Sequence, residues 1–350
     1  MILTELTLRN WRNHEKITVN PSPGLNVIVG DNGTGKTNLA EAIYYLSLGR
    51  TWRGLSGGEL IRKGEKEATL LASLKEGENV RKIEIDLKER QRTILLNGKA
   101  IRRLSDLSKI ANVIAFSPQN TSIFSGPPAD RRSFLDLAIA KEDPAHLSDL
   151  NTFLKLLSER NTVLKDELRD EAYLSVLTDQ LIAIELPIIK RRVAYLKRLE
   201  PTLKKVATAI FGKERPIAIS YEPFIGIDGY QEKAKALYQS SLDLDKIRGT
   251  TTYGIHKEDF TVMLDDKEVG TYGSQGENRI LSLAMHLAPY FLIEEEGKKP
   301  IVVLDDVYSE LDENHANNLT ALLETMGQVF ITTTNSNVTN ASVIEVTKLP

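Results

Sequence analysis

The chain contains no cysteine, which rules out disulfides, thiolate nucleophiles and zinc–thiolate sites and removes the usual mark of a secreted scaffold. Its start, Met1-Ile2-Leu3-Thr4-Glu5-Leu6-Thr7-Leu8, has neither the basic opening nor the long apolar stretch of a signal peptide. The alternation of apolar and polar positions there predicts a half-buried strand instead. No window reads as approaching the length of a membrane span, so no membrane partner is expected. A dominant charge is missing too: a net −3 over 350 residues does not announce a nucleic-acid binder, although local patches act against a neutral total. At 41% hydrophobic and 27% charged, the chain can bury a large core and hold two domains. A soluble cytoplasmic protein is the expectation.

What is present is a phosphate loop. Gly30-Asp31-Asn32-Gly33-Thr34-Gly35-Lys36-Thr37 fits G-x-x-x-x-G-K-[ST], in which glycines let successive backbone N–H groups wrap phosphate oxygens while the Lys and the hydroxyl complete the cradle. A chance match in a Gly-rich turn would lack the right flanks. Here Leu25-Asn26-Val27-Ile28-Val29 suits a buried parallel strand, and Thr37 onward, through Asn38-Leu39-Ala40-Glu41, reads as a helix. The order of strand, loop and helix places phosphate at a helix N-terminus, where unpaired N–H groups and the macrodipole favour anions. A nucleoside triphosphate with Mg²⁺ is the expected ligand.

Far along the chain, Ile301-Val302-Val303-Leu304-Asp305-Asp306 is an apolar run ending in two carboxylates, as a buried strand delivers them at its C-terminal edge, where open α/β sheets hold ligands. Asp305 suits Mg²⁺ alongside Thr37, since this metal takes few carboxylates and keeps several waters. Asp306 is the candidate to polarise an attacking water. A strand end followed by an acidic turn is the plainer alternative.

Between these segments the texture changes. Lys82–Leu87 and Arg92–Leu96 read as strands, with Asn97-Gly98 a hairpin turn before Ile101, so a second β layer on the nucleotide domain is predicted. From Pro127, leucines at 147, 150, 154, 157, 164 and 168 follow a 3,4 spacing. A second series runs from Leu174 to Ile188 and resumes from Leu196 to Ile210. These suit an antiparallel helical arm and equally suit plain core helices. The nucleotide domain is therefore discontinuous: residues 1–125 and 250–350 form the head, and 126–249 an inserted helical arm.

Asn10-Trp11-Arg12-Asn13-His14, Asn32–Leu39, Gly126-Pro127-Pro128-Ala129-Asp130-Arg131-Arg132-Ser133-Phe134-Leu135-Asp136 and Leu304–Asp312 together resemble the RecF family of bacterial recombination mediators, ABC-type ATPases related to SMC proteins. The resemblance covers almost the whole chain. It implies an α/β fold: an ABC-type P-loop head of mixed or parallel sheet with an added antiparallel β layer, carrying the helical arm. It also implies that Ser274-Gln275-Gly276-Glu277 is the ABC signature, which completes the site of the opposite subunit, so that ATP drives a homodimer and hydrolysis loosens it. Gln119 matches the Q-loop that reaches Mg²⁺ and the water, and Asp312 the D-loop at the dimer interface. Thr334, in Thr332-Thr333-Thr334-Asn335, falls where many ABC ATPases have His. A hydroxyl there can bond a γ-phosphate but carries no positive charge, which implies slow hydrolysis. Arg12 and Asn13 are implied near the nucleotide. The family pattern usually has Gln at Thr34, a Gln-type residue at Glu277 and Arg at Lys257; the last keeps the charge but loses the bidentate fork.

Two basic clusters, Lys190, Arg191, Arg192, Lys197, Arg198, Lys204 and Lys205, and Arg81, Lys82, Lys88, Arg90, Arg92, Arg102 and Arg103, read most simply as solvated faces. The resemblance implies double-stranded DNA and junctions with single-stranded DNA as partners, with RecR and RecO, in loading a recombinase. Two rivals share the phosphate loop. The energising subunit of an ABC transporter would lack the long helical insert between Gln119 and Ser274, and a P-loop phosphotransferase would lack the signature.

Overall fold

The structure is a computed structural model describing residues 1–101, 107, 110–168, 170–309, 311–334 and 340–347. It divides into two compact units: Met1–Ser122, Thr202–Glu214 and Arg279–Pro350 form the first, and Ile123–Pro201 and Arg215–Asn278 the second.

The first unit holds two sheets. Strands β1 (Ile2–Trp11), β2 (His14–Val19), β4 (Glu67–Glu76), β5 (Asn79–Lys88), β6 (Gln91–Leu96) and β7 (Lys99–Ala100) make an antiparallel sheet in the order β2-β1-β4-β5-β6-β7. Asn97 and Gly98 both take positive φ, 48° and 77°, the paired left-handed geometry that a two-residue hairpin turn demands. Strands β3 (Gly24–Val29), β8 (Val113–Phe116), β12 (Ile301–Asp305), β13 (Gln328–Thr333) and β14 (Ser342–Glu345) make a parallel sheet in the order β14-β3-β13-β12-β8. Near-continuous apolar runs in β3 and β12 are what a sheet covered on both faces requires.

Helix α1 (Lys36–Leu48) is buried on every side, with Leu39, Ala40, Glu41, Ala42 and Ile43 all inaccessible in succession. A helix without a solvent stripe must be packed all round. Its apolar residues join Leu3, Leu6, Leu8, Leu70 and Ile85 of the antiparallel sheet and Ile301, Val303 and Phe330 of the parallel one in a single core. Trp11 meets Tyr45 edge to face with ring centroids 5.3 Å apart. Helices α2 (Gly57–Leu60) and α10 (Glu313–Glu324) complete the described helices lying wholly in this unit.

The second unit contains α3 (Pro128–Glu142), α4 (Pro144–Lys165), α6 (Tyr230–Ser240), α7 (Leu242–Arg248) and α8 (Val269–Tyr272), with a small sheet β11-β10-β9 of β9 (Ile217–Glu222), β10 (Asp259–Leu264) and β11 (Lys267–Glu268). It also takes most of α5 (Glu171–Phe211) and the start of α9 (Gln275–Leu292). The second apolar series, which breaks off at Ile188 and resumes at Leu196, is one helix: α5 runs through Pro187 and Pro201 without a break. By length and composition α5 could also cross a membrane, against the expectation of no such window. Its apolar residues recur at helical spacing, and Leu181, Ile188 and Ile189 are spent in an internal cluster with Phe153, Tyr230 and Tyr238.

A buried ionic network fastens this unit. The Arg192 guanidinium, 2% exposed, donates to both carboxylate oxygens of Asp136 at 2.9 and 2.8 Å, to Glu258 at 3.1 Å and to the Ile255 carbonyl at 2.9 Å. Arg192→Met would strand two buried carboxylates, so urea melts of the whole chain should show a loss of about 3–5 kcal/mol. A loss below about 1 kcal/mol would mark the network as solvated.

Candidate functional site

Parallel register brings the predicted segments to one edge. Val29 pairs with Thr333 and Asp305 with Thr332, so the residues that follow β3, β12 and β13 leave the sheet together at its C-terminal edge. Asn32, Gly33, Gly35, Lys36, Thr37, Asn38, Asp306, Thr332 and Thr334 line a cleft there of about 290 Å³. The start of α1 opens into it. That N-terminus has no side-chain cap and no acidic residue in its first turn, which leaves its N–H groups available for an anion.

The loop is braced from beneath. The Thr34 hydroxyl, 4% exposed, donates to the Asp31 carbonyl at 2.9 Å, so this departure from the family pattern turns inward and leaves the cleft to its neighbours. A Cβ on Gly30 would meet the Val346 carbonyl at 2.3 Å and the Thr34 hydroxyl at 2.7 Å. Gly35, at φ +107°, is held as closely by Asn13 and His14, whose side-chain atoms would lie 2.5–2.7 Å from an added Cβ. Asn13 Nδ2 donates to the Thr34 carbonyl at 2.7 Å and Asn38 Nδ2 to Asn13 Oδ1 at 2.8 Å. Asn13 thus supports the loop backbone and is not among the lining residues. Burial lowers the pKa of His14; its Nε2 lies 3.2 Å from the Gly35 carbonyl. Lys36 Nζ donates to the carbonyls of Gly30 at 2.6 Å and Asp31 at 2.9 Å, spanning the loop from its far end.

Beneath the cleft floor, Asp305 is 5% exposed and its Oδ1 accepts from the hydroxyls of Thr37 at 2.9 Å and Thr332 at 2.7 Å. Burial pushes this carboxyl above the usual range while the two hydroxyls pull it back. The Thr37 hydroxyl and Asp305 carboxylate are hard oxygen donors, the type that suits Mg²⁺. Among the described residues no cluster of three or more His, Cys, Asp or Glu could hold a metal, so such an ion would draw most of its oxygens from phosphate and water. Asp306, exposed in the cleft, takes φ +50°. Its backbone N–H donates to the Thr332 hydroxyl at 2.9 Å, and Arg279, 5% exposed, directs Nη2 at the Asp306 and Val307 carbonyls at 3.4 and 3.3 Å. The sequence reading singled out neither Thr332 nor Arg279. Thr332 is one of three consecutive threonines, and only the register tells which hydroxyl meets Asp305.

Other predicted residues stand outside the cleft lining. Arg12 donates to the Glu59 carbonyl at 2.7 Å. Gln119 is exposed on the 3₁₀ turn Pro118–Ser122. Asp312 caps α10, accepting from the His315 N–H at 2.9 Å. Ser274 and Glu277 form a reciprocal cap: Ser274 N and Oγ each donate to Glu277 Oε2 at 2.9 Å, and Glu277 N donates back to Ser274 Oγ at 3.3 Å. Arg215 clasps Glu277 at 2.8 Å. A Cβ on Gly276 would meet nothing within 4 Å. Ser274 and Gly276 are both exposed.

The sequence matches the RecF/RecN/SMC N-terminal domain over residues 2–348. It is 33% identical over 345 residues to the DNA replication and repair protein RecF of Halalkalibacterium halodurans, covering 96% of this chain and 93% of that protein. The chain belongs to the RecF family. A RecF of an Exiguobacterium species is 36% identical over 350 residues, with 96% and 93% covered. Among solved structures, the recombination mediator protein RecF with ATP, of the RecFOR pathway, superposes with a TM-score of 0.89 at 32% identity, covering 98% of this chain and 95% of that one. An SMC head domain from Pyrococcus furiosus, 16% identical with a TM-score of 0.60 over 99% and 94% of the two chains, shares the fold. RecF-family membership thus agrees with the ABC-type head that the motifs imply.

In this RecF-family chain the basic clusters are partly committed to structure. Arg192 is buried, Arg191 pairs with Asp143 at 2.9 Å and Asp149 at 2.6 Å, and Arg198 pairs with Glu142. Lys190, Lys197 and Lys204 are exposed and recur every seven residues along α5, hence on one face; Lys205 is exposed beside them. In the other cluster Arg81 pairs with Glu76 at 2.7 Å, Lys88 with Glu67 at 3.6 Å, and Arg92 reaches the Tyr45 hydroxyl at 3.0 Å. Lys82 and Arg90 are exposed. Arg102, Arg103, Glu310 and Asn335 lie outside the described residues.

Proposed function

We propose that this RecF-family protein is an ATP-dependent DNA-binding protein of recombinational repair and replication: ATP joins two copies on duplex DNA, slow hydrolysis releases them, and the cycle helps load a recombinase on gapped DNA. The observation that carries the reading is the uncapped start of α1 opening into a cleft whose Thr37 hydroxyl is tied to the buried Asp305 beneath it. Residues Gly30 to Asn38 hold the phosphates, with Lys36 supplying the charge. Thr37 and Asp305, with Gln119, hold Mg²⁺, and Asp306 directs the water. Ser274, Gly276 and Glu277, with Asp312, serve the partner copy's ATP; the exposed Ser274 hydroxyl and the open face of Gly276 support this assignment. Thr334 offers the γ-phosphate a neutral donor, in keeping with slow turnover. Double-stranded DNA, its junctions with single strands, and RecR with RecO are the proposed partners.

Sedimentation of the intact chain tests the clamp: a monomer without nucleotide or with ADP, and a dimer with ATP and Mg²⁺. A monomer in every condition refutes ATP-driven pairing. On DNA, if the four exposed lysines of α5 each neutralise one phosphate, log K should fall against log salt with a slope of about −3 to −4, with little dependence on sequence. A slope near zero would remove α5 from the DNA contact.

A further inference from the structure

We propose that Thr332 is a positioning residue of the nucleotide site, a single hydroxyl that fixes Asp305 and Asp306 in one relation to each other and to Thr37. The inference rests on the ATP-hydrolysing reading above. Thr332 is 2% exposed and sits opposite Asp305 in the parallel register. A hydroxyl has one proton and two lone pairs, and Thr332 uses both capacities. Its proton goes to Asp305 Oδ1 at 2.7 Å, and it accepts the Asp306 N–H at 2.9 Å. Thr37 addresses the same Oδ1 at 2.9 Å, so the hydroxyls from β13 and from the phosphate loop converge on one carboxylate oxygen. Thr332 on β13 and Thr334 just past its end both line the cleft, whereas Thr333 between them does not.

The connection to Asp306 matters because its backbone is left-handed at φ +50°, a conformation that a non-glycine residue holds when its surroundings enforce it. Thr332 supplies part of that enforcement through the N–H. Without the hydroxyl, Asp305 loses one of two donors and the Asp306 peptide loses its anchor. Phosphate binding by the loop and Lys36 should be untouched, while the placement of Mg²⁺ and of the water should both loosen.

The test compares Thr332→Ala with Thr332→Ser in the full chain, since both lose the methyl and only one keeps the hydroxyl; Thr332→Val provides the opposite loss. A fluorescent ATP analogue is titrated in EDTA and again in Mg²⁺, and steady-state ATPase gives kcat and KM. All three variants should match wild type in EDTA. In Ala and Val the affinity gained on adding Mg²⁺ should shrink about tenfold, KM should rise by about the same factor because slow turnover makes it the Kd in Mg²⁺, and kcat should drop about ten- to a hundredfold. Ser should stay within about threefold of wild type on both. The proposal is overturned if Ala and Val keep the wild-type Mg²⁺ gain and kcat, or if Ser falls as far as Ala. A wild-type chain that binds but never hydrolyses ATP overturns the ATPase reading itself, and this inference with it.

Discussion

Lys36→Met is expected to weaken ATP binding severely while leaving the chain folded. The ammonium is the one side-chain cation lining the cleft among the described residues, and it now spans the loop to the Gly30 and Asp31 carbonyls at 2.6 and 2.9 Å. Met preserves most of the stem and removes every donor. Losing one partner of a desolvated, charge-assisted contact costs about 2–5 kcal/mol, roughly thirty- to several-thousandfold in Kd. The fold should survive, because Asn13, Thr34 and Asn38 brace the loop independently. Calorimetric titration with ATP and Mg²⁺, beside a thermal melt of the free protein, separates the two effects. Affinity within about threefold of wild type would mean that the backbone cradle alone carries the phosphates, against the role given to this Lys.

Ser274→Arg should behave in the opposite way, with wild-type ATP affinity but neither nucleotide-dependent pairing nor turnover. Ser274 contributes nothing to the cleft lining of its own chain; its hydroxyl caps α9 and is exposed. Arg adds bulk and charge where a partner's triphosphate would dock. The lost cap costs about 1 kcal/mol, and Arg215 still clasps Glu277. Ser274→Ala is the control, since it removes the cap without the bulk. Turnover should fall about a hundredfold or more in the Arg variant, as when a phosphate-stabilising group contributed by another protein is lost. Normal dimerisation by Ser274→Arg would refute the signature assignment.

Much of the phosphate site can be read in the sequence because it is made of contiguous segments with local rules. A β-branched run, a glycine-spaced loop and a helix start follow one another from Leu25 to Leu39, and the turn at Asn97-Gly98 is set by two residues. Other features depend on distance. Arg192 reads as one more base in a charged run, yet its partners lie 56 and 66 positions away, and no local pattern separates a buried guanidinium from a solvated one. Thr332 needs the β12–β13 register before it can be told from its two neighbours. The unbroken course of α5 through Pro187 and Pro201 is likewise set by packing, which outweighs the local cost of a helix-interior proline.

The left-handed backbone at Asp306 bears on the choice of a trapped mutant. Asparagine is among the few side chains at ease in that region, whereas alanine or a longer acid would strain the peptide that Thr332 and Arg279 hold. If Asp306 directs the water as proposed, Asp306→Asn is the replacement that removes that function while keeping the chain's local trace, which makes it the natural candidate for stalling the proposed cycle long enough to image it.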